Sequence, residues 1–141
     1  PEKDTFANLT ATREMVVHMV ERATVERAVA CSAEFPPEVD ELAACGFTPV
    51  PSEVVRPPRV AEAPVAMECR LRQVVELAQG ERGAHLVVAD ILRYHLDEAV
   101  WNQGRLDPDR LDPVGRLAGQ SYCTCRNRFE IPRPPRPAKR P

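Results

Sequence analysis

From Val65 to Leu71 the chain alternates, with Val65, Met67, Cys69 and Leu71 on one side and Glu68, Arg70 and then Arg72 on the other. A period of two predicts a half-buried strand whose charged residues face solvent. The approach to it, from Pro51, carries Pro57, Pro58 and Pro64. Each fixes φ and removes a backbone donor, so this approach is expected to be extended and edge-like. Arg13 to Val20 is almost continuously apolar and β-branched over a strand-like length, which predicts a strand covered on both faces. His18 lies inside it and reads as a core or interface histidine. His85 to His95 places Leu86, Val88, Leu92 and Tyr94 on one face and Val87, Ala89 and Ile91 on the other, again as if both were covered. The polar, glycine-bearing turn Gln79–Gly83 joins this run to the first strand as a hairpin.

Three short helices fit between these runs. Asp4 or Thr5 can cap one that continues to Thr12, with Phe6 and Leu9 as its apolar contacts. Arg22 to Cys31 reads as a second through Val25, Ala28 and Val29. Asp40 to Cys45 reads as a third, acidic at its start and stopped by Gly46. Asn102 to Pro113 is rich in turn residues and is expected to be a loop, and Arg126 to Ile131 a last short strand. The chain divides into a domain over residues 1–131 and a proline- and arginine-rich tail over residues 132–141, expected to be disordered. Four or five strands, joined by hairpins without repeated βαβ units, argue for an antiparallel barrel-like sheet. So few strands leave open edges, which points to a partner chain or to further strands upstream.

Composition narrows the function classes. A net charge of −2 over 141 residues gives no electrostatic reason to expect nucleic acid or an anionic membrane as the partner. No apolar run reaches the roughly 20 residues needed to cross a bilayer. Five cysteines at irregular spacing fit a reducing, cytoplasmic compartment better than a disulfide framework. Cys123-Thr-Cys125 lacks the second pair of a zinc site, and His85 and His95 have no ligand partner at metal spacing, so no metal is expected.

Two stretches carry candidate chemistry. Lys3, the Thr5 hydroxyl and the free N–H groups of the first helical turn could cradle a phosphate, because a helix N-terminus presents donors at the positive end of its dipole. Ordinary capping is the other reading of the same residues, and the charge of Asp4 suits the cap. Val114 to Tyr122 sets Gly115 and Gly119 around Arg116 and Tyr122. Glycines allow close backbone approach and Arg116 could meet a phosphate or carboxylate, while a plain packed loop remains equally open.

Three stretches in order carry a resemblance. Lys3-Asp-Thr5 with Asn8 comes first, followed by Gly46-Phe-Thr-Pro-Val-Pro-Ser52 running on through Arg56-Pro-Pro-Arg59, Glu62, Pro64 and Glu68-Cys-Arg-Leu71. The third is Pro113-Val-Gly-Arg-Leu-Ala-Gly119 with Tyr122. Together they resemble the flavin reductase-like, FMN-binding split-barrel proteins over nearly all of residues 1–131. The resemblance implies a mainly β fold with short helices (α+β), a Greek-key split β-barrel of six strands that dimerises and binds FMN, or FAD, near the subunit interface. It also implies that Lys3, Asp4 and Thr5 lie by the flavin phosphate or ribityl chain, and that Arg116 and Tyr122 lie near the cofactor or the dimer contact. The chain departs from the family pattern at His18, where relatives often have Asn, and at Ala118, where they often have Gly. Nothing in it matches the family's upstream strands, so an N-terminally incomplete barrel is expected.

The function implied is NAD(P)H-dependent flavin reduction or flavin-mediated electron transfer, by a homodimer that supplies a partner oxygenase. Such a site works by positioning the cofactor, so no catalytic acid or base is named. The alternative is a truncated, non-enzymatic split-barrel protein that acts through dimerisation or protein partners without flavin.

Overall fold

The computed structural model describes residues 4–36, 38–78 and 84–135. Lys3, the Gln79–Gly83 turn and the end of the tail lie outside the described residues. The elements in chain order are α1 (Asp4–Thr12), β1 (Glu14–His18), α2 (Val25–Ala30), α3 (Glu41–Ala44), β2 (Pro49–Val50), β3 (Arg59–Val60), β4 (Val65–Ala78) and β5 (Ala84–Leu96). A single 3-10 turn (Glu98–Val100) then leads to β6 (Trp101–Asn102), β7 (Arg105–Leu106), α4 (Pro108–Leu111), β8 (Val114–Arg116) and β9 (Tyr122–Thr124). The chain is mainly β with short helices. No helix of the described residues is long and apolar enough to cross a membrane.

The alternating run at Val65 opens the longest strand. β4 is the centre of a three-stranded antiparallel sheet, β1-β4-β5, with Val17 opposite Met67 and Met67 opposite Tyr94. β4 and β5 pair as a long hairpin from Val65↔Leu96 to Ala78↔Ala84, interrupted by register shifts at Glu68/Cys69, Leu71/Gln73 and Glu76/Ala78. Each irregularity re-aims side chains locally. The other strands form three two-stranded pairs, β2-β3, β6-β7 and β8-β9.

Several expectations change. Glu68, read as solvent-facing, is fully buried, because residues 53–55 fold over that face of β4 and bind its carboxylate. β1 is only half-buried and Val17 is exposed, so it is not covered on both faces. β5 departs further: Leu86, Val88, Ile91, Leu92, Tyr94 and Leu96 are all exposed, and the register shift at Glu68/Cys69 makes Leu92 an extra residue, so Tyr94 lies on the face of Ile91 and not on that of Leu86 and Val88. The Asn102–Pro113 segment is not a plain loop. Asp107 caps α4 by accepting from the Asp109 and Arg110 amides, with Pro108 in the first turn. Val114 to Tyr122, for which a plain packed loop is one of two readings open in the sequence, is a β hairpin. Arg126 to Ile131 forms no strand; Arg126 and Arg128 instead pair with Asp112 and Asp109.

The helices are placed by local chemistry. Asp40 accepts from the Leu42 and Ala43 amides at the start of α3, and Gly46 ends it at φ 74°. α1 begins at Asp4, which puts Thr5 inside its first turn. α2 is shorter than the sequence suggests, and it buries Val25. The core is small: Val65, Val100 and Leu111 pack together with Met19 and Leu106 against them, and Phe47, Val55, Val60, Cys69 and Leu71 are buried around it.

Candidate functional site

Arg116 and Tyr122 are brought together by the hairpin that the sequence did not reveal. They are directly opposite one another in the β8-β9 register, so their side chains share a face. The connection is closed by the Leu117 amide donating to Ser121 O at 2.9 Å, with Gly119 at φ 64°. Only glycine takes that conformation without strain.

This hairpin faces α2 across a groove of two overlapping lobes, about 470 and 520 Å³. Val25, Val29, Val114 and Tyr122 line both lobes, while Arg116, Gly119 and Gln120 rim the second. Among the described residues, the Arg116 guanidinium, the Gln120 amide and the Tyr122 hydroxyl make no side-chain hydrogen bond, and Arg116 makes no ion pair. The groove therefore offers an apolar wall with an unused cation and two unused polar groups at its edge. A planar apolar ring carrying an anionic substituent suits that donor set.

Asp4 and Thr5 lie elsewhere, in a groove of about 430 Å³ between α1 and α3 that shares no lining residue with the first. Asn8 joins them from α1, and Asp40, Glu41 and Leu42 form the opposite wall. The Asp40 carboxylate is engaged in capping α3. With Asp4, Asp40 and Glu41 around it, this groove is acidic, and among the described residues any anion held there depends on the Thr5 hydroxyl and the α1 amides.

A third cavity, about 260 Å³, lies on another side of α2 and is lined by His18, Thr24, Cys31, Phe47 and Val60 among others. His18 Nε2 accepts from the Val60 amide at 3.0 Å. Burial, and then the positive charge of Arg59, lowers its pKa, so the ring stays neutral. It is a structural acceptor that fixes β3 against β1.

The cluster that sequence reasoning missed is centred on Glu68. Its carboxylate accepts from the amides of Glu53 (2.8 Å), Val54 (2.7 Å) and Val55 (3.2 Å), meets His95 Nε2 at 2.6 Å, and has Arg59 Nε at 3.8 Å. Burial pushes its pKa up, but the backbone donors and His95 outweigh that and hold it at about 2. The cluster anchors the Pro51–Pro58 segment on the sheet. Arg56 and Arg59 serve the same anchoring: Arg56 binds Glu14 and Thr12 O, and Arg59 binds Pro51 O. The one signal for it in the sequence was a lone glutamate within a buried strand, which periodicity assigned to solvent.

The flavin reductase like domain model matches residues 1–108. An uncharacterized protein of Halalkalibacterium halodurans is 35% identical over 134 residues, which cover 94% of this chain and 64% of the relative. Among solved structures, nitrilotriacetate monooxygenase component B from Bacillus cereus is 32% identical with a TM-score of 0.86, covering 92% of this chain and 65% of that one. The 2-nitrobenzoate 2-nitroreductase of Pseudomonas fluorescens is 30% identical with a TM-score of 0.81, covering 93% and 64%. The chain thus spans a little under two thirds of these relatives' own lengths, and it shares their fold.

Proposed function

Because the chain belongs to the flavin reductase-like family, a split-barrel fold, we propose that it is a flavin-binding oxidoreductase domain that takes FMN, with FAD as the other flavin, and uses NAD(P)H as reductant. The observation that carries this reading is the α2/β8-β9 groove, where Arg116 and Tyr122 meet across one hairpin over an apolar wall. A bound flavin supplies the hydride-accepting and electron-releasing chemistry. The chain supplies binding and orientation. Arg116 offers the cation for an anionic substituent, Tyr122 and the valines shield one side of a planar ring from water, and Gln120 offers a donor and an acceptor at the rim. No residue of the groove is required to move a proton.

Asp4, Thr5 and Lys3 are retained as a second contact, to the phosphate or ribityl chain. The exposed apolar side chains of β5 support a homodimer, since Ile91, Leu92, Tyr94 and Leu96 lie close together along one strand and leave apolar surface of the kind that another copy covers. Similarity to nitrilotriacetate monooxygenase component B supports a partner oxygenase, and the free cysteines support a cytoplasmic setting.

The test is titration of the purified chain with FMN, followed by flavin absorbance and fluorescence. Saturable binding is expected, with Kd raised about tenfold by Arg116→Ala, the loss of one charged hydrogen bond. Lys3→Ala and Thr5→Ala, measured in parallel, read out the α1 contact. Absence of binding at millimolar FMN would overturn the proposal for this chain.

A further inference from the structure

Two of the five cysteines converge from different helices. Cys31 follows the last residue of α2 and Cys45 the last residue of α3, and each is tied to both Arg27 and Glu41. The Cys31 amide donates to Arg27 O at 3.1 Å, while Arg27 Nε donates to Cys45 O at 3.1 Å. The Cys45 amide donates to Glu41 O at 3.0 Å, and Cys31 Sγ lies 3.8 Å from that same oxygen. The Cys31 thiol thus reaches the carbonyl that accepts the Cys45 amide, which brings its sulfur to the Cys45 backbone. Both residues are partly exposed, and Cys31 also lines the 260 Å³ cavity.

We propose that Cys31 and Cys45 are a redox modification site, oxidised by a hydroperoxide to an intramolecular disulfide that ties the C-terminal end of α2 to that of α3. Cys45 is the attacking group. The Cys31 thiol donates to Glu41 O, which holds its proton in place, and burial pushes it up to about 11, so it is the poorer thiolate. The Cys45 thiol gives up its proton and its sulfur bonds to one peroxide oxygen as the O–O bond breaks. A sulfenic acid and, with hydrogen peroxide, one water result. Cys31 sulfur then bonds to the Cys45 sulfur as the S–O bond breaks, and the Cys31 proton leaves with the departing oxygen as a second water. Two thiols are oxidised to one disulfide, and both peroxide oxygens are reduced.

The consequence reaches the α1/α3 groove. The segment between the two cysteines carries Pro36, Val39, Asp40, Glu41 and Leu42, which form the wall opposite Asp4, Thr5 and Asn8. The disulfide closes that segment into a ring and restricts the wall's movement relative to α2. The proposal stands independently of flavin binding.

The test uses the full chain with Cys123→Ser and Cys125→Ser, since those two cysteines are exposed and would react in parallel. Tryptic cleavage, which does not cut between Arg56 and Pro57, releases Ala28–Arg59 as one peptide holding Cys31, Cys45 and no other cysteine. After a short treatment with hydrogen peroxide this peptide is expected to lose two hydrogens, free thiols to fall from three to one, and Tm to rise by about 5–10 °C. Dithiothreitol should reverse all three changes. Adding Cys31→Ser should leave a sulfenic acid on Cys45 that a dimedone probe captures, with no cross-link. A peptide that stays fully reduced while Cys31 or Cys45 is singly oxidised, or disulfides found only between molecules, would overturn the proposal.

Discussion

The Glu68 carboxylate and the His95 imidazole meet at 2.6 Å, Oε1 to Nε2, at a point in the sheet where the carboxylate has 0% exposure. A charge so placed is tolerable only if its lone pairs are filled, and three backbone amides of residues 53–55 fill them. The pair joins β4, β5 and the proline-rich segment in one contact.

Glu68→Gln should therefore destabilise the fold by about 2–4 kcal/mol, because its amide NH₂ would face amide donors that now meet a carboxylate. Denaturant unfolding measures this. A change near zero would show that residues 53–55 are held by something other than the carboxylate.

The pH dependence follows from the carboxyl's low value. Its pKa falls from 4.5 to about 2 in the folded chain, so its stabilising contribution is complete above about 4.5 and is lost as pH falls through 2. The stability gap between the native chain and Glu68→Gln should be constant at neutral pH and shrink below pH 4.5. A gap that stays constant down to pH 2.5 would contradict the assignment.

Gly46 at φ 74° ends α3, and a Cβ there would meet only the Arg27 guanidinium at ordinary contact distances of 3.7 and 3.8 Å. Gly46→Ala should thus cost about 1 kcal/mol from backbone strain alone, without disturbing the packing. Thermal unfolding gives the magnitude, and a loss several times larger would point to a steric clash instead.

The exposed apolar residues of β5 yield a prediction on association. The native chain is expected to have a dimer mass by light scattering, and a chain with Leu92→Asp and Tyr94→Asp, two exposed neighbours on that strand, a monomer mass. An unchanged dimer would move the interface elsewhere. A native chain that is already monomeric would remove the homodimer from the proposed function.

What could be read in the sequence was local. Asp40 and Gly46 bracket α3 within a few residues, and the alternation at Val65 marks the start of β4, since capping and period-two burial depend only on near neighbours. Glu68 was misread for the opposite reason. Its periodicity with Arg70 and Arg72 is real, but the residues that bury it lie some fifteen positions upstream and come into place only through tertiary folding. The β8-β9 hairpin was hidden because its glycines look like loop residues, although Arg116 and Tyr122 were singled out as chemistry before their pairing was visible. β5 misled in another way: its hydrophobicity says that both faces want cover, and the described residues cover only part of them.

The length of the β4-β5 hairpin has a consequence for motion. β1 pairs with β4 only from Ala66 to Arg70, so beyond Leu71 the two strands bond to each other alone among the described residues. A two-stranded ribbon without a third strand is marginally stable in water. Amide hydrogens of residues 74–78 and 84–88 should therefore exchange with deuterium well before those of Val65 to Leu71. The sheet would then open from its far end while the Glu68 anchor stays shut.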